Sequence, residues 1–128
     1  MLNTVVLHFA DGKIEKGTTE DFFPNKDMFH FKEKEGGGIR EVHMRELKAA
    51  YFVKSFEGDP AHQENASQER VGFGKKIRVH FRDGETQVGY TQGFSADRAG
   101  FFVFPADPAC NNDRVYVVIA ATDKIQFI

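Results

Sequence analysis

The feature of this sequence that most constrains its fold is an internal repeat. Shifting the chain by 72 residues aligns VVLHFADG, which begins at Val5, with IRVHFRDG, which begins at Ile77. Over the ungapped stretches 4–31 and 76–103, eight of 28 positions are identical. The identical residues are His, Phe, Asp, Gly and Thr, which are residue types that fix turns and cores. Such self-similarity predicts two copies of one structural unit.

The second part of the unit repeats with a slightly different offset. After a change of three residues in length, an offset of 75 places residues 42–44 over 117–119 and residues 51–53 over 126–128. The repeated unit is therefore about 53 residues long, and the two copies together account for most of the 128-residue chain.

The connection between the copies indicates the domain boundaries. Residues 58–70 read GDPAHQENASQER, a polar stretch with a proline and no large apolar side chain, which is typical of a linker or an exposed loop. We therefore predict a first unit over residues 1–56, a linker over 57–74 and a second unit over 75–128.

Each unit has the pattern of five short strands. From Val5 to Ala10, side chains alternate with the period of two that is typical of a strand. The run ends at Asp11-Gly12, and Asp-Gly between alternating runs predicts a type I′ hairpin with positive φ at both central positions. The later strands are predicted over residues 17–22, 28–33, 39–44 and 49–53, with one helical turn over 45–48.

These elements indicate the fold class. Five short strands, a tight first hairpin and one helical turn before the last strand are typical of a small, strongly bent barrel. Gly17 and its copy Gly89 lie in mid-strand, where glycine often marks a bulge or a sharp bend. We predict an all-β fold in which two tandem five-stranded small barrels pack together.

The spacing of these residues resembles that of Sm-like and SH3-like small barrels. The pattern FxxGxxxxGxTxxF begins at Phe9 and again at Phe81, and it is similar to the first Sm motif over about half of each repeat. The basic signature of the second Sm motif is absent, so the resemblance implies the barrel without the Sm nucleobase pocket. The chain from Asp11 through the stretch LKAAYFVK at Leu47 also resembles uncharacterised bacterial domains found beside signalling modules.

Composition excludes several functional classes. The chain has 17 Lys and Arg against 19 Asp and Glu, a net charge of −2, which argues against generic DNA coating or binding to acidic membranes. A single cysteine excludes an internal disulfide framework and suits a reducing compartment. The sequence has no recognisable signal peptide and no apolar run of membrane-spanning length. These features predict a cytoplasmic protein.

Two stretches of the second unit are apolar on both strand faces. They are FFVF, which begins at Phe101, and VYVVIAA, which begins at Val115. A strand without polar alternation is normally buried on both sides. This outer face must therefore be covered, either by the first unit within the chain or by a second copy or another protein. The predicted partner face comprises Phe102, Phe104, Tyr116 and Val118.

A nucleotide or RNA is the alternative ligand. His8 and His80 occupy equivalent repeat positions, either as paired ligand contacts or as strand histidines kept by the ancestry of the repeat. The stretch 91–103 resembles a strand of the PilZ domain, which implies a cyclic-di-GMP-like ligand, and an upstream arginine would stack and bond on guanine. The candidate residues for this ligand are His8, His80, Arg70, Arg78 and Arg82.

No residue has the setting of a catalytic group. Cys110 lies in a polar loop with no base beside it, which predicts an incidental surface thiol. His30 and His43 fall on strands expected to be neighbours, but a closed zinc site needs four ligands. We therefore predict no enzyme activity, no metal and no cofactor.

The sequence thus predicts a non-catalytic binding or scaffold module in bacterial signalling or regulation. Its expected partner is another protein or a second copy of the chain, bound through protein–protein contacts. The alternative is nucleotide or RNA binding on the barrel loops, and no membrane partner is expected.

Overall fold

The computed structural model describes residues 2–58, 69–94 and 97–128. The first half contains β1 (Asn3–Phe9), β2 (Ile14–Thr19), β3 (Met28–Glu33), β4 (Ile39–His43) and β5 (Leu47–Val53). The second half contains β6 (Lys75–Phe81), β7 (Thr86–Thr91), β8 (Gly100–Pro105), β9 (Asn112–Val118) and β10 (Thr122–Phe127). A 3₁₀ turn precedes the last strand of each half, at Met44–Glu46 and at Ile119–Ala121.

The prediction of an all-β fold is confirmed. The described residues contain no α-helix, and therefore none long and apolar enough to span a membrane. In the predicted linker, residues 59–68 lie outside the described part of the chain, and the described linker residues form no strand.

The ten strands form one open antiparallel sheet in the order β10-β6-β7-β8-β9-β5-β1-β2-β3-β4. Each half contributes five adjacent strands in the same internal order, with the last strand of the half beside its first. The halves are joined because β5 pairs with β9, from Ala49 opposite Val117 to Val53 opposite Asn112. The sequence predicted two units in contact, and the structure shows them joined by a strand pair.

Strand β5 belongs to two cores at once. All seven of its residues are buried. Ala50 and Phe52 point into a core formed largely by the first half, whereas Tyr51 and Val53 point into a core formed largely by the second. Successive side chains of a strand face opposite sides, so one strand serves both cores.

Strand β9 is the counterpart of β5. Val115 and Val117 pack in the second core, while Tyr116 and Val118 pack in the first. A strand buried on both faces has no polar alternation. This is the reason why the second unit reads as continuously apolar in this region.

The first hairpin of each half differs from the prediction. The N–H of Phe9 donates to Lys13 O at 2.9 Å, and the N–H of Gly12 donates to Phe9 O at 3.0 Å. Only Gly12 has a positive φ in this loop, at 98°, while the Asp11 carboxylate accepts the N–H of Lys13. The predicted type I′ turn is therefore wrong. The loop has three residues, a type I turn followed by a left-handed glycine, and it recurs with Gly84 at 94°.

Gly17 is required by the close approach of the next strand. A Cβ atom at this position would collide with the carbonyl oxygen of Lys32 and the ring of Phe31 on β3. The equivalent Gly89 meets the carbonyl oxygen of Phe104 in the same way. Pairing of β1 with β2 is regular through Gly17, so the glycine marks strand crowding rather than a bulge.

Candidate functional site

Half of the predicted partner face is covered within the chain. Tyr116 is fully buried and Val118 is 2% exposed, and both pack in the first core. The rings of Tyr116 and Phe22 lie 5.1 Å apart at 77°, an edge-to-face contact between the halves. These two residues are unavailable to a partner, so the prediction that they line a partner face is corrected. For these two residues the alternative prediction is confirmed, because the first unit of the same chain covers them.

The other two residues of that face remain half-buried. Phe102 and Phe104 line a cleft of about 490 Å³ together with Phe94 and Arg98. The Phe102 ring also makes a cation–π contact with Arg114, whose guanidinium carbon lies 4.5 Å from the ring centroid. The cleft therefore presents Phe102 and Phe104 from β8 together with Phe94 from the segment after β7.

Two further clefts continue from this one along the junction of the halves. A cleft of about 390 Å³ shares Arg98 with the first and also contains Arg45 and Ile119. A third, of about 340 Å³, shares Arg45 with the second and extends to Phe9 and Arg82. We call the three together the seam groove. Residues of both halves line each cleft, so the groove depends on the pairing of β5 with β9.

The local fold explains how the seam groove is built. Both 3₁₀ turns and the glycine hairpins of both halves contribute to its walls. Each 3₁₀ turn precedes the last strand of its half, and each hairpin follows the first strand. Met44 and Leu47 supply buried apolar surface at its base, next to the exposed Arg45. A turn between two buried anchors holds the guanidinium at the rim of the groove.

The seam groove carries balanced charge. Three exposed arginines line it, and none forms an ion pair among the described residues: Arg45, Arg82 and Arg98. Arg82 donates from Nε to the carbonyl oxygen of Ala120 at 2.9 Å, which fixes its direction. Lys48 is the fourth cation of the lining, and four carboxylates share it: Asp11, Asp27, Asp83 and Asp97. The arrangement suits a ligand of mixed charge rather than a polyanion.

A polar cluster at one end of the seam groove joins the two halves. Lys48 Nζ lies 2.7 Å from Asp83 Oδ2 and 2.8 Å from Glu85 Oε1, and the Tyr51 hydroxyl donates to Glu85 Oε1 at 3.1 Å. We call these four residues the Lys48 clamp. Burial acts to lower the pKa of Lys48, but the hydrogen bonds that its ammonium group donates to Asp83 and Glu85 outweigh it, so the pKa of Lys48 is raised. The clamp fixes Lys48 as a charged structural group.

His8 lies against this clamp. Its ring centroid is 4.4 Å from that of Tyr51, and burial, followed by the charge of Lys48, lowers the pKa of His8. The equivalent His80 instead shares a hydrogen bond of 2.9 Å between Nε2 and Gln126 Oε1. Because the two histidines have different neighbours, they do not form equivalent ligand contacts.

The three arginines predicted for a nucleotide are separated. Arg70 stacks 3.8 Å from the ring centroid of Phe73 and donates from Nη1 to Pro105 O at 3.0 Å. Arg78 lies on β6, opposite Gln126 and Val88 in the ladder. Of the three, only Arg82 lines the seam groove.

The histidines considered for a metal have other roles. His30 Nδ1 pairs with Asp21 Oδ2 at 2.6 Å, and His43 faces Met28 across the ladder. In the described part of the chain, no group of three or more His, Cys, Asp or Glu side chains is placed to hold a metal. Cys110 is buried, so the prediction of a surface thiol is wrong.

Sequence reasoning missed the residues that the fold brings together across the seam. Arg45 and Arg98 lie in different halves, and no motif connects them. Lys48 did carry a signal, since it is the one charged residue in the otherwise apolar run LKAAYFV. A charged side chain in a strand that is buried on both faces requires a partner. Here the partners are Asp83 and Glu85, in and beside the hairpin that joins β6 and β7.

Comparison with known proteins places the chain in a family without adding a chemical role. No curated protein and no solved structure matches it. A family model does match, and it covers residues 1–128. The chain belongs to DUF6982, a family of unknown function.

Proposed function

We propose that this protein is a non-catalytic binding module that holds an extended segment of a partner protein in the seam groove. The observation that carries this proposal is the combination of half-buried aromatic rings with three guanidinium groups that lack ion-pair partners among the described residues. Aromatic and arginine side chains are the types enriched at the energetic centres of protein interfaces. We place this activity in bacterial signalling or regulation in the cytoplasm, in keeping with the resemblance to domains found beside signalling modules.

We further propose that each half is an Sm-like or SH3-like small barrel. The support is the shared internal strand order, the repeated three-residue hairpin and the 3₁₀ turn before each last strand. In such an architecture, the seam groove is the line along which the two barrels meet.

The chemistry of the expected partner follows from the lining. Phe94, Phe102 and Phe104 favour large apolar side chains at one end of the groove. Arg45 and Arg98, further along, favour a carboxylate, which guanidinium binds in bidentate geometry. The partner segment should therefore carry an apolar anchor followed by an acidic residue.

A nucleotide or RNA is the second candidate. It is favoured by Phe102 and Phe104 beside Arg98, because bases stack on aromatic rings and on guanidinium planes. Asp11, Asp27 and Asp97 in the same lining weaken this alternative, because carboxylates repel phosphates.

The experiment is selection from a displayed library of short random peptides, followed by titration of the best binders. Arg98→Glu should weaken binding by at least about tenfold, equivalent to about 1.4 kcal/mol. Lys75→Glu makes the same charge change at an exposed site outside the groove and should leave the affinity unchanged.

Three outcomes separate the candidates. Enriched peptides with an apolar anchor and an acidic residue support the proposal. Peptides that bind equally well to both variants overturn it. A labelled oligouridine that binds at physiological salt, weakens steeply with added salt and depends on Arg98 favours the nucleic-acid alternative instead.

A further inference from the structure

We infer that the two free edges of the sheet are complementary, so that β10 of one copy pairs with β4 of a second copy and the chains associate head to tail. This inference does not depend on a ligand in the seam groove. It rests on the repeat, the register of the central strand pair and the apolar residues at both edges.

The molecule already contains one example of the proposed contact. By the 75-residue offset, β4 of the first half corresponds to β9 of the second, and β5 corresponds to β10. Within the chain, β5 pairs with β9. Their counterparts β10 and β4 are the two outermost strands and pair on one side only among the described residues. A second copy can therefore repeat between chains the pairing that joins the halves.

The internal register predicts the intermolecular one. Phe52 lies opposite Arg114 and Ala50 opposite Tyr116 in the central pair. Adding 75 to the β5 residues and subtracting 75 from the β9 residues places Phe127 opposite Ile39 and Ile125 opposite Glu41.

Apolar side chains stand at the predicted contact. Ile39 on β4 is 69% exposed, and Phe127 on β10 is 52% exposed. They lie at opposite edges of one molecule, but the predicted register makes them cross-strand neighbours between two molecules. The adjoining Ile128 is also 52% exposed and extends the apolar end of β10. An exposed, unpaired edge strand with apolar side chains is a template for pairing with another chain.

A second copy is favoured over an unrelated partner because both members of the contact belong to this chain. The contact should be weaker than the internal one, since β4 carries Arg40 and Glu41 where β9 carries Val115 and Tyr116. Arg40 is engaged with Glu15. Head-to-tail contacts between different surfaces close into a ring or continue as a fibre.

The test is sedimentation of the intact chain from micromolar to millimolar concentration. We expect a mass that rises above that of the 14.5 kDa chain. Ile39→Lys alone and Phe127→Glu alone should each weaken association by at least about tenfold. The double variant should regain it, because its two new side chains lie opposite one another with opposite charge. Val71→Lys, at a site 96% exposed and outside both edges, is the matched control.

The outcomes decide the inference. A mass that grows with concentration, or reaches a plateau at a closed ring, supports it if the double variant recovers. A mass that stays at 14.5 kDa over the whole range overturns it. Association that Ile39→Lys and Val71→Lys weaken equally also overturns it. Ile39 does not line the seam groove, so peptide binding by Ile39→Lys is an independent readout, whereas Phe127 contacts Phe94 of the groove and does not serve for this comparison.

Discussion

The centre and the edge of the sheet contain equivalent repeat positions, which are apolar at the centre and polar or charged at the edge. In the second half these positions are Phe102, Phe104, Tyr116 and Val118, and they face the seam or the first core. In the first half they are His30, Lys32, Glu41 and His43, on β3 and the edge strand β4. Three of the four edge residues are exposed, and the fourth, His43, is half-buried.

The difference shows where the two units are joined. Both halves have the same backbone fold, with the same strand order and the same first hairpin. Only the outward side chains of β3, β4, β8 and β9 decide which copy is covered. Apolar residues on β8 and β9 make a junction with the first half, whereas charges on β4 limit pairing at that edge.

The largest effect should come from truncating the centre. Tyr116→Ala removes a fully buried ring that contacts Phe22 and Phe102, and it should lower the free energy of unfolding by about 3–5 kcal/mol. Glu41→Ala, at the equivalent edge position, should change it by less than about 0.5 kcal/mol. Urea denaturation of both variants checks the contrast. Similar losses would mean that the two positions have similar environments.

An intermediate effect should come from the Lys48 clamp. Lys48→Met leaves Asp83 and Glu85 without their cation and should cost about 1–2 kcal/mol, because both carboxylates are half exposed and water screens them. Arg40→Met removes the comparable pair with Glu15 near the edge and should cost less than about 1 kcal/mol. Equal costs in thermal unfolding would remove the distinction between a central and a peripheral ion pair.

The smallest effects should appear in the pH dependence of two histidines. Burial, then Lys48, lowers the pKa of His8, so its contribution is complete above the ordinary value of 6.5 and is lost as the pH falls below it. The hydrogen bond to Asp21 raises the pKa of His30, so its contribution is complete below 6.5 and is lost as the pH rises through the raised pKa.

These opposite signs are tested with matched substitutions. His8→Gln should reduce the loss of stability on acidification through the histidine range of about pH 8 to 5, and His30→Gln should increase it. The measurement is the free energy of unfolding across that range. Parallel pH profiles for the two variants would contradict the assigned environments.

Local sequence signals predicted most of the elements, although β2 spans Ile14–Thr19, three residues before the predicted 17–22. Strand β3 begins and ends at the predicted residues, Met28 and Glu33. The short turn before the last strand also appears, as a 3₁₀ turn over Met44–Glu46 where 45–48 was predicted. These features depend on period-two patterning and turn residues that lie within a few positions of each other. The hairpin geometry was missed because Asp-Gly also fits a type I turn followed by a left-handed glycine.

Contacts distant in sequence could not be predicted in the same way. The apolar character of Tyr116 and Val118 indicated that something covers them, but not which strand pairs with β9. Lys48 and Asp83 are 35 positions apart, so their ion pair appears only when the halves are joined. The seam groove has the same origin, since its arginines come from both halves. Sequence patterning thus locates buried faces, whereas the tertiary fold selects their partners.

The most direct test of the account is amide hydrogen exchange at a concentration where the chain is monomeric. If β5 and β9 join the halves, their amides should exchange slowest, while β4 and β10 should exchange faster through local opening at the edges. Central amides that exchange as fast as those of β4 and β10 would contradict the account, because they would show two units that are not joined by a strand pair.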